Sequence, residues 1–226
     1  MKIDKQLLTS NWVYALLLIP TTSAILALNH WGFFFKSGSA GAGIILLLLL
    51  YWGQFKQHKD VWMLFVAFLF SIGGDWFLSH RNGVEMRFIY GIVLFFIAHV
   101  GYLSYGLMNG RLNRIFTLVL LSGFWAFFFI VIAPAISNPM LMAATLLYLL
   151  ISCFSLGAAV GVKAEPLVKW VYFIGIFLVL FSDTIIALRE FAHIKGFGWL
   201  ILPTYYLAHI VVTFAAMRKI QMNIGK

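Results

Sequence analysis

The chain has 226 residues, of which 63% are hydrophobic and only 10% charged, with a formal net charge of +9. Soluble domains carry about 25% charged residues, so this composition excludes an ordinary water-soluble fold and points to an integral membrane protein. The excess of 16 Lys+Arg over 7 Asp+Glu reads as loop charge that sets topology and meets lipid phosphates rather than nucleic acid. A single cysteine, Cys153, excludes an intramolecular disulfide and lies in an apolar run as a packing residue.

At about 20 apolar residues per crossing, the chain divides into eight predicted helices. They cover residues 11–29, 40–55, 61–79, 88–109, 113–134, 139–162, 167–188 and 197–218. The first begins behind a short basic segment like that of a signal sequence, but it is long enough to span and is read as a retained helix. The breaks fall at Lys36–Gly38, Gln54–Asp60, Ser79–Arg87, Asn109–Asn113, Pro134–Pro139, Lys163–Pro166 and Arg189–Gly196. Trp12, Trp31, Trp52, Trp62, Trp170 and Trp199 lie near predicted helix ends, where an aromatic interfacial belt belongs. The expected fold is therefore all-α and polytopic, one integral membrane domain over residues 1–226.

Basic residues in the loops divide eleven to five in favour of the side that carries both termini, which predicts an N-in, C-in topology. In a bacterium this is a multi-pass protein of the cytoplasmic membrane.

Two carboxylates stand apart from the rest. Asp75 and Asp183 fall inside the third and seventh spans, whereas Asp4, Asp60, Glu85, Glu165 and Glu190 read as terminal or loop residues. A carboxylate at membrane depth costs about 2.5–3.5 kcal/mol even on lenient insertion scales. Asp75 lies 14 residues beyond Val61 and Asp183 lies 16 beyond Leu167. At 1.5 Å per residue both reach roughly 21–24 Å along outward-running helices, a common layer in the extracytoplasmic half. Each aspartate precedes an arginine by six positions (Arg81, Arg189), and the next span carries Ala98-His99-Val100 or Ala208-His209-Ile210. The aspartates are offset by 108 positions and the histidines by 110. This pattern predicts two four-helix halves, residues 1–110 and 111–226, related by a pseudo-repeat.

Two carboxyl groups in a low-dielectric layer can divide into a protonated acid and an ionised base, which supplies acid–base chemistry with no metal and no cofactor. The competing reading makes each a structural tie to Ser, Tyr or His on a neighbouring helix. Ser71, Gly73 and Gly74 precede Asp75, and Ser182 and Thr184 flank Asp183. His99 and Tyr102 share a helical face, Phe95 lies one turn before them, and Tyr205, Tyr206 and His209 lie on the last helix. Tyr148, Ser152 and Ser155 form a polar stripe on the sixth helix, able to line a cavity but more commonly explained by helix contacts. A zinc site from His99, His209, Asp75 and Asp183 has suitable ligand types but no close histidine spacing. Arg81, Arg87, Arg189, Lys195, His80 and His193 crowd the loops above the aspartates, as interfacial anchors or as a cap for a lipid phosphate.

These residues resemble the YhhN family, which includes the lysoplasmalogenases. The resemblance rests on Gly74-Asp75 with Leu78, on Phe88, Gly91, Phe95, His99 and Tyr102 at their spacing, on Ser182-Asp183 with Ala187, and on Thr204-Tyr205-Tyr206-Leu207-Ala208. His209 stands where that family commonly has glutamine, and Lys36 is followed by Ser37 where a Lys-Pro is often found, so His209 falls outside the first-rank candidates. The resemblance implies hydrolysis of the vinyl ether bond of a lysoplasmalogen, giving a fatty aldehyde and a glycerophospho-ethanolamine or -choline. It implies catalytic roles for Asp75 and Asp183. His99, Tyr102 and Tyr205 would position reacting groups, Ser182 and Tyr206 would join them at the substrate, and Arg81 or Arg189 would hold the phosphate. Its partners would be that lysophospholipid and the surrounding membrane lipids. A small proton-coupled transporter or lipid carrier built on the same aspartates is the reading from another class. A non-catalytic scaffold is the third.

Overall fold

The computed structural model describes residues 10–224, so Lys2, Asp4, Lys5 and Lys226 lie outside the described residues. Among the described residues the chain is helical throughout and forms no strand. Eight helices are long and apolar enough to cross a membrane, the architecture of a multi-pass membrane protein. We number them α1 (Asn11–Leu28), α2 (Phe33–Leu50), α3 (Val61–Ser79), α4 (Glu85–Met108), α5 (Arg114–Ala135), α6 (Pro139–Val160), α7 (Pro166–Phe191) and α8 (Ile201–Ile224), the last behind a short turn at Gly198–Leu200.

Local chemistry sets the boundaries. Asn113 caps α5 by accepting from the Phe116 N–H at 3.1 Å, and Asn138 caps α6 by accepting from the Met140 N–H at 2.9 Å. Pro139 and Pro166 open α6 and α7, where the missing N–H costs nothing. The turn between α3 and α4 reverses through Asn82 and Gly83, both at positive φ.

The second span departs from the sequence-based expectation. It begins at Phe33 rather than 40 and ends at Leu50, so Lys36 lies in the first turns of a helix instead of a loop. The glycines and serines at 37–41 are contact residues rather than a break. A Cβ on Gly38 would lie 1.8 Å from the Ser23 hydroxyl of α1, and small residues in membrane helices let backbones approach. Glu85 likewise opens α4, and Arg189 and Glu190 belong to the last turn of α7.

Lipid tails are as apolar as leucine, so helices in a membrane associate through close packing and hydrogen bonds. α3 packs along α4, and a Cβ on Gly101 would meet the Met63 carbonyl at 2.6 Å. α7 packs along α8, α4 along α6, and α2 lies against α3 and α8. Tyrosine hydroxyls tie these pairs: Tyr51 donates to the Ala216 carbonyl at 2.7 Å and Tyr172 to the Tyr102 carbonyl at 2.6 Å. One core joins α2, α3, α4, α7 and α8 around Leu47, Phe68, Tyr102, Tyr172 and Val212; a second joins α4 to α7 around Phe88, Phe128, Leu149, Cys153 and Phe191. Trp12, Trp31, Trp52, Trp62, Trp170 and Trp199 are all exposed, as side chains at a lipid interface would be.

α5 is the outlying helix. It packs on α6, meets α7 where Phe116 stands 6.2 Å from Phe173, and meets it again through a π-helical turn at Phe128–Ile132. A cleft remains between those two contacts. At the end of the bundle where α4 finishes, Lys219 of α8 donates to Asp60 at 2.6 Å, and Asn109 donates to the same carboxylate oxygen at 3.0 Å. The starts and ends of three helices are fastened there. Burial pulls the Asp60 pKa up, but the Lys219 and Asn109 hydrogen bonds and the Lys219 charge outweigh it, holding the carboxyl below its ordinary value.

Candidate functional site

Asp183 sits where α4, α6 and α7 meet. Tyr148 of α6 donates its hydroxyl to Asp183 Oδ2. The same hydroxyl stands 3.1 Å from His99 Nε2 of α4, whose ring is 5.3 Å from the Tyr148 ring. His99 Nε2 lies 3.6 Å from Asp183 Oδ2, with the histidine 1% and the aspartate 10% exposed. The Asp183 carboxylate reaches two apolar clefts. One, about 50 Å³, is lined by Leu78, Phe88, Ile92, Phe95, Thr145 and Tyr148 among others. The other, about 40 Å³, opens between α5, α6 and α7 beside Phe124, Phe127, Leu180 and Thr184.

Asp75 is set differently. It is 5% exposed on α3, behind Phe95, whose ring occupies the space a Cβ on Gly74 would fill at 2.8 Å. Phe95 in turn stands edge-on to Tyr205, centroids 6.1 Å apart. The Tyr205 hydroxyl lies 3.5 Å from the Ser71 carbonyl, one turn before Asp75 on α3. Phe95, which packs on Gly74 beside Asp75, also lines the cleft that Asp183 borders, so the two aspartates flank one ring.

A third cavity adjoins the first. It has a volume of about 310 Å³ and is lined by Lys36, Arg81, Arg189 and Glu190, with Leu78, Phe88 and Ile186 shared with the apolar cleft. Arg81 pairs with Glu190 and lies 4.3 Å over the Phe88 ring, and Lys36 donates to the Ser79 hydroxyl at 2.6 Å. Lys36 and Arg189 have no acidic partner within ion-pair distance among the described residues. The result is a cationic chamber opening toward an apolar cleft with a carboxylate on its wall. Such a pairing suits a molecule with an anionic head and an apolar chain.

Other candidates lie at varied distances from this chamber. Tyr102 is one turn along α4 from His99, ring centroids 5.9 Å apart, and its hydroxyl is buried without a partner among the described residues. Tyr206 is buried beside Tyr205, also with an unpartnered hydroxyl. Ser182 spends its hydroxyl on the Ile201 carbonyl at 3.0 Å. Arg87 donates to the His80 carbonyl. His209 packs against Tyr205 at 4.5 Å and Phe68 at 5.2 Å, its Nδ1 3.5 Å from the Ser39 hydroxyl. No three His, Cys, Asp or Glu side chains converge as a metal-binding group among the described residues, so the four conceivable zinc ligands do not assemble.

Two contributors lie where the sequence pattern does not point: Lys36 is in a helix rather than the expected loop, and Tyr148 reaches His99 and Asp183 from its stripe on α6. The signal for Tyr148 was the stripe itself: Tyr148, Ser152 and Ser155 follow one face of an otherwise apolar helix.

A profile of the YhhN family matches residues 31–216. The chain belongs to the YhhN family. No curated protein and no solved structure matches it. In this YhhN chain all four segments that carried the resemblance fall inside the matched residues, and Asp75, Phe95, His99, Asp183 and Tyr205 draw from each of them.

Proposed function

We propose that this YhhN protein is a lysoplasmalogenase-like hydrolase that cleaves the vinyl ether bond of a lysoplasmalogen. The observation that carries the reading is the Asp183 carboxylate on the wall of an apolar cleft adjoining the Lys36–Arg81–Arg189 chamber. Family membership supports it. The reaction is R–CH=CH–O–R′ + H₂O → R–CH₂–CHO + HO–R′. A proton must reach the alkene carbon that bears R, and the resulting oxocarbenium ion is captured by water at the carbon bound to oxygen. The hemiacetal then collapses to aldehyde and alcohol. Glycoside hydrolysis makes a parallel demand and meets it with two carboxyl groups.

Asp183 is the carboxyl that lines the cleft, so we assign it the protonation step, and Asp75 the orientation and deprotonation of water. The glycerophosphate lies in the chamber against Lys36, Arg189 and Arg81, and the chain lies along the cleft past Asp183. Glu190, paired with Arg81, faces the amine of the head group. Phe95 lines the cleft and also packs against Gly74, next to Asp75. The loop-charge bias supports both termini in the cytoplasm, and hence a chamber on the extracytoplasmic side. The pseudo-repeat is supported by helix pairing: the third helix lies along the fourth as the seventh lies along the eighth.

The test is aldehyde release by the purified protein from a lysoplasmalogen and from its saturated-ether and acyl analogues. Aldehyde from the vinyl ether alone, lost in Asp75→Asn and Asp183→Asn, is the expected result. A folded sample that releases none, in detergent and in liposomes, overturns the reading. Flux driven by a pH gradient without conversion of the lipid would then identify a transporter.

A further inference from the structure

Net hydrolysis neither consumes nor releases a proton, yet its two proton movements occur at different places. The acid loses its proton to carbon, and water gives one up elsewhere. Before a second turnover Asp183 must be reprotonated, in a buried site with little water. We propose that Tyr148 and His99 form the proton relay that recharges Asp183, an inference that rests on the hydrolase reading above.

The geometry leaves few proton arrangements. The separation of 3.6 Å between His99 Nε2 and Asp183 Oδ2 is too long for a hydrogen bond, so the histidine does not reach the aspartate directly. The Tyr148 hydroxyl touches both: it bonds Asp183 Oδ2 and stands 3.1 Å from His99 Nε2. A phenol has one hydrogen to give. When Tyr148 gives it to an ionised Asp183, His99 Nε2 must carry a hydrogen and donate it to the phenol oxygen. When Tyr148 gives it to Nε2, Asp183 must be protonated and donate instead. These two states differ by the concerted shift of two hydrogens.

His99 Nδ1 completes the path. It has no hydrogen-bond partner among the described residues, so it is free to take a proton from a water molecule, the reaction's own co-substrate, that reaches the ring between turnovers. A proton taken up at Nδ1 makes the ring an imidazolium. The Nε2 hydrogen passes to the Tyr148 oxygen, and the Tyr148 hydrogen passes to Asp183 Oδ2. The trio finishes as a neutral imidazole protonated at Nδ1, an intact phenol and a protonated carboxyl. One proton has entered, at Nδ1, and one has been delivered, at Asp183. Once Asp183 has protonated the substrate, water that accepts the Nδ1 hydrogen and returns one to Nε2 resets the ring with no net change in protons. Tyr102 on α4 also faces His99, ring centroids 5.9 Å apart.

Tyr148→Phe removes one oxygen and keeps the ring that packs against His99. With lysoplasmalogen under rapid mixing, it should release one aldehyde per protein at near the wild-type rate and then slow roughly 100-fold, at unchanged KM. His99→Ala should show the same burst, and added imidazole should restore its steady rate. A uniform fall with no burst in both variants, or no rescue by imidazole, overturns the relay while leaving the hydrolase intact. If the wild type releases no aldehyde, infrared spectra still read the link. The carboxyl band absent from Asp183→Asn should move in Tyr148→Phe, and an unmoved band also overturns the relay.

Discussion

Asp75 and Asp183 look alike in sequence, each deep in an apolar span and six residues before an arginine, yet the fold treats them in opposite ways. Asp75 is closed in by packing. Gly74 admits the Phe95 ring, Tyr205 closes the other side, and 5% of the residue is exposed. Asp183 is held by a hydrogen bond instead, from Tyr148, at a seam between helices that leaves clefts beside it. One carboxyl is enclosed by packed rings and the other lies beside open clefts. Depth in the membrane and depth in the protein are thus separate quantities, and only the first is written in hydropathy.

The largest expected effect separates the two directly. Asp183→Asn should lower aldehyde turnover by about 10³–10⁴-fold with KM retained, within the span usual for general acid–base residues. Asp75→Asn should cost about 10², and rates for the two in the reverse order would exchange their roles. Next comes the wall around Asp75. Gly74→Ala drives a methyl group into Phe95, and overpacking of this kind costs about 1–3 kcal/mol, measurable as earlier thermal unfolding. Unchanged unfolding would show that Phe95 moves aside freely and that Asp75 is less enclosed than its contacts indicate. Lys36→Met and Arg189→Met should each raise KM by about 10- to 100-fold, the worth of a charged hydrogen bond of about 1.5–3 kcal/mol, and leave kcat alone. A fall in kcat instead would carry Lys36 from the chamber to Asp75.

The smallest effect on turnover is expected at the far clamp. Asp60→Asn should leave kcat unchanged and lower stability by about 1–3 kcal/mol at neutral pH. The folded Asp60 pKa lies below its ordinary value of 3.8, so its contribution is fully present above that value and is lost as pH falls through the folded pKa. Melting curves of wild type and Asp60→Asn should therefore differ at neutral pH and converge in acid.

The eight spans and the placing of both aspartates inside them were legible, because a bilayer demands about 20 apolar residues per crossing. The start of α2 was not. Ser37 to Gly41 has the composition of a break, and only the contact of Gly38 with Ser23 on α1 shows why small residues stand there. Misplacing that boundary hid Lys36 from the site. Tyr148 was hidden for another reason. Its partners lie on α4 and α7, 49 and 35 residues away, and periodicity along one helix cannot say what faces it from two others. Arg81 was assigned to hold phosphate without its tie to Glu190, since a salt bridge across 109 positions leaves no local trace. His99 was legible as a member of the site because its face was shared with Tyr102.

The π-helical turn in α5 bears on where the products go. Between Phe116 and that turn a cleft of about 40 Å³ opens between α5, α6 and α7 beside Asp183, on the side where α5 is the outermost helix. On the hydrolase reading, a long-chain aldehyde formed there dissolves sideways into hydrocarbon, while the glycerophosphate leaves through the charged chamber into water. The two halves of the substrate part into different phases at the moment they separate. Recombination would require them to meet again across an interface, so their partition adds to the chemistry that already favours the products.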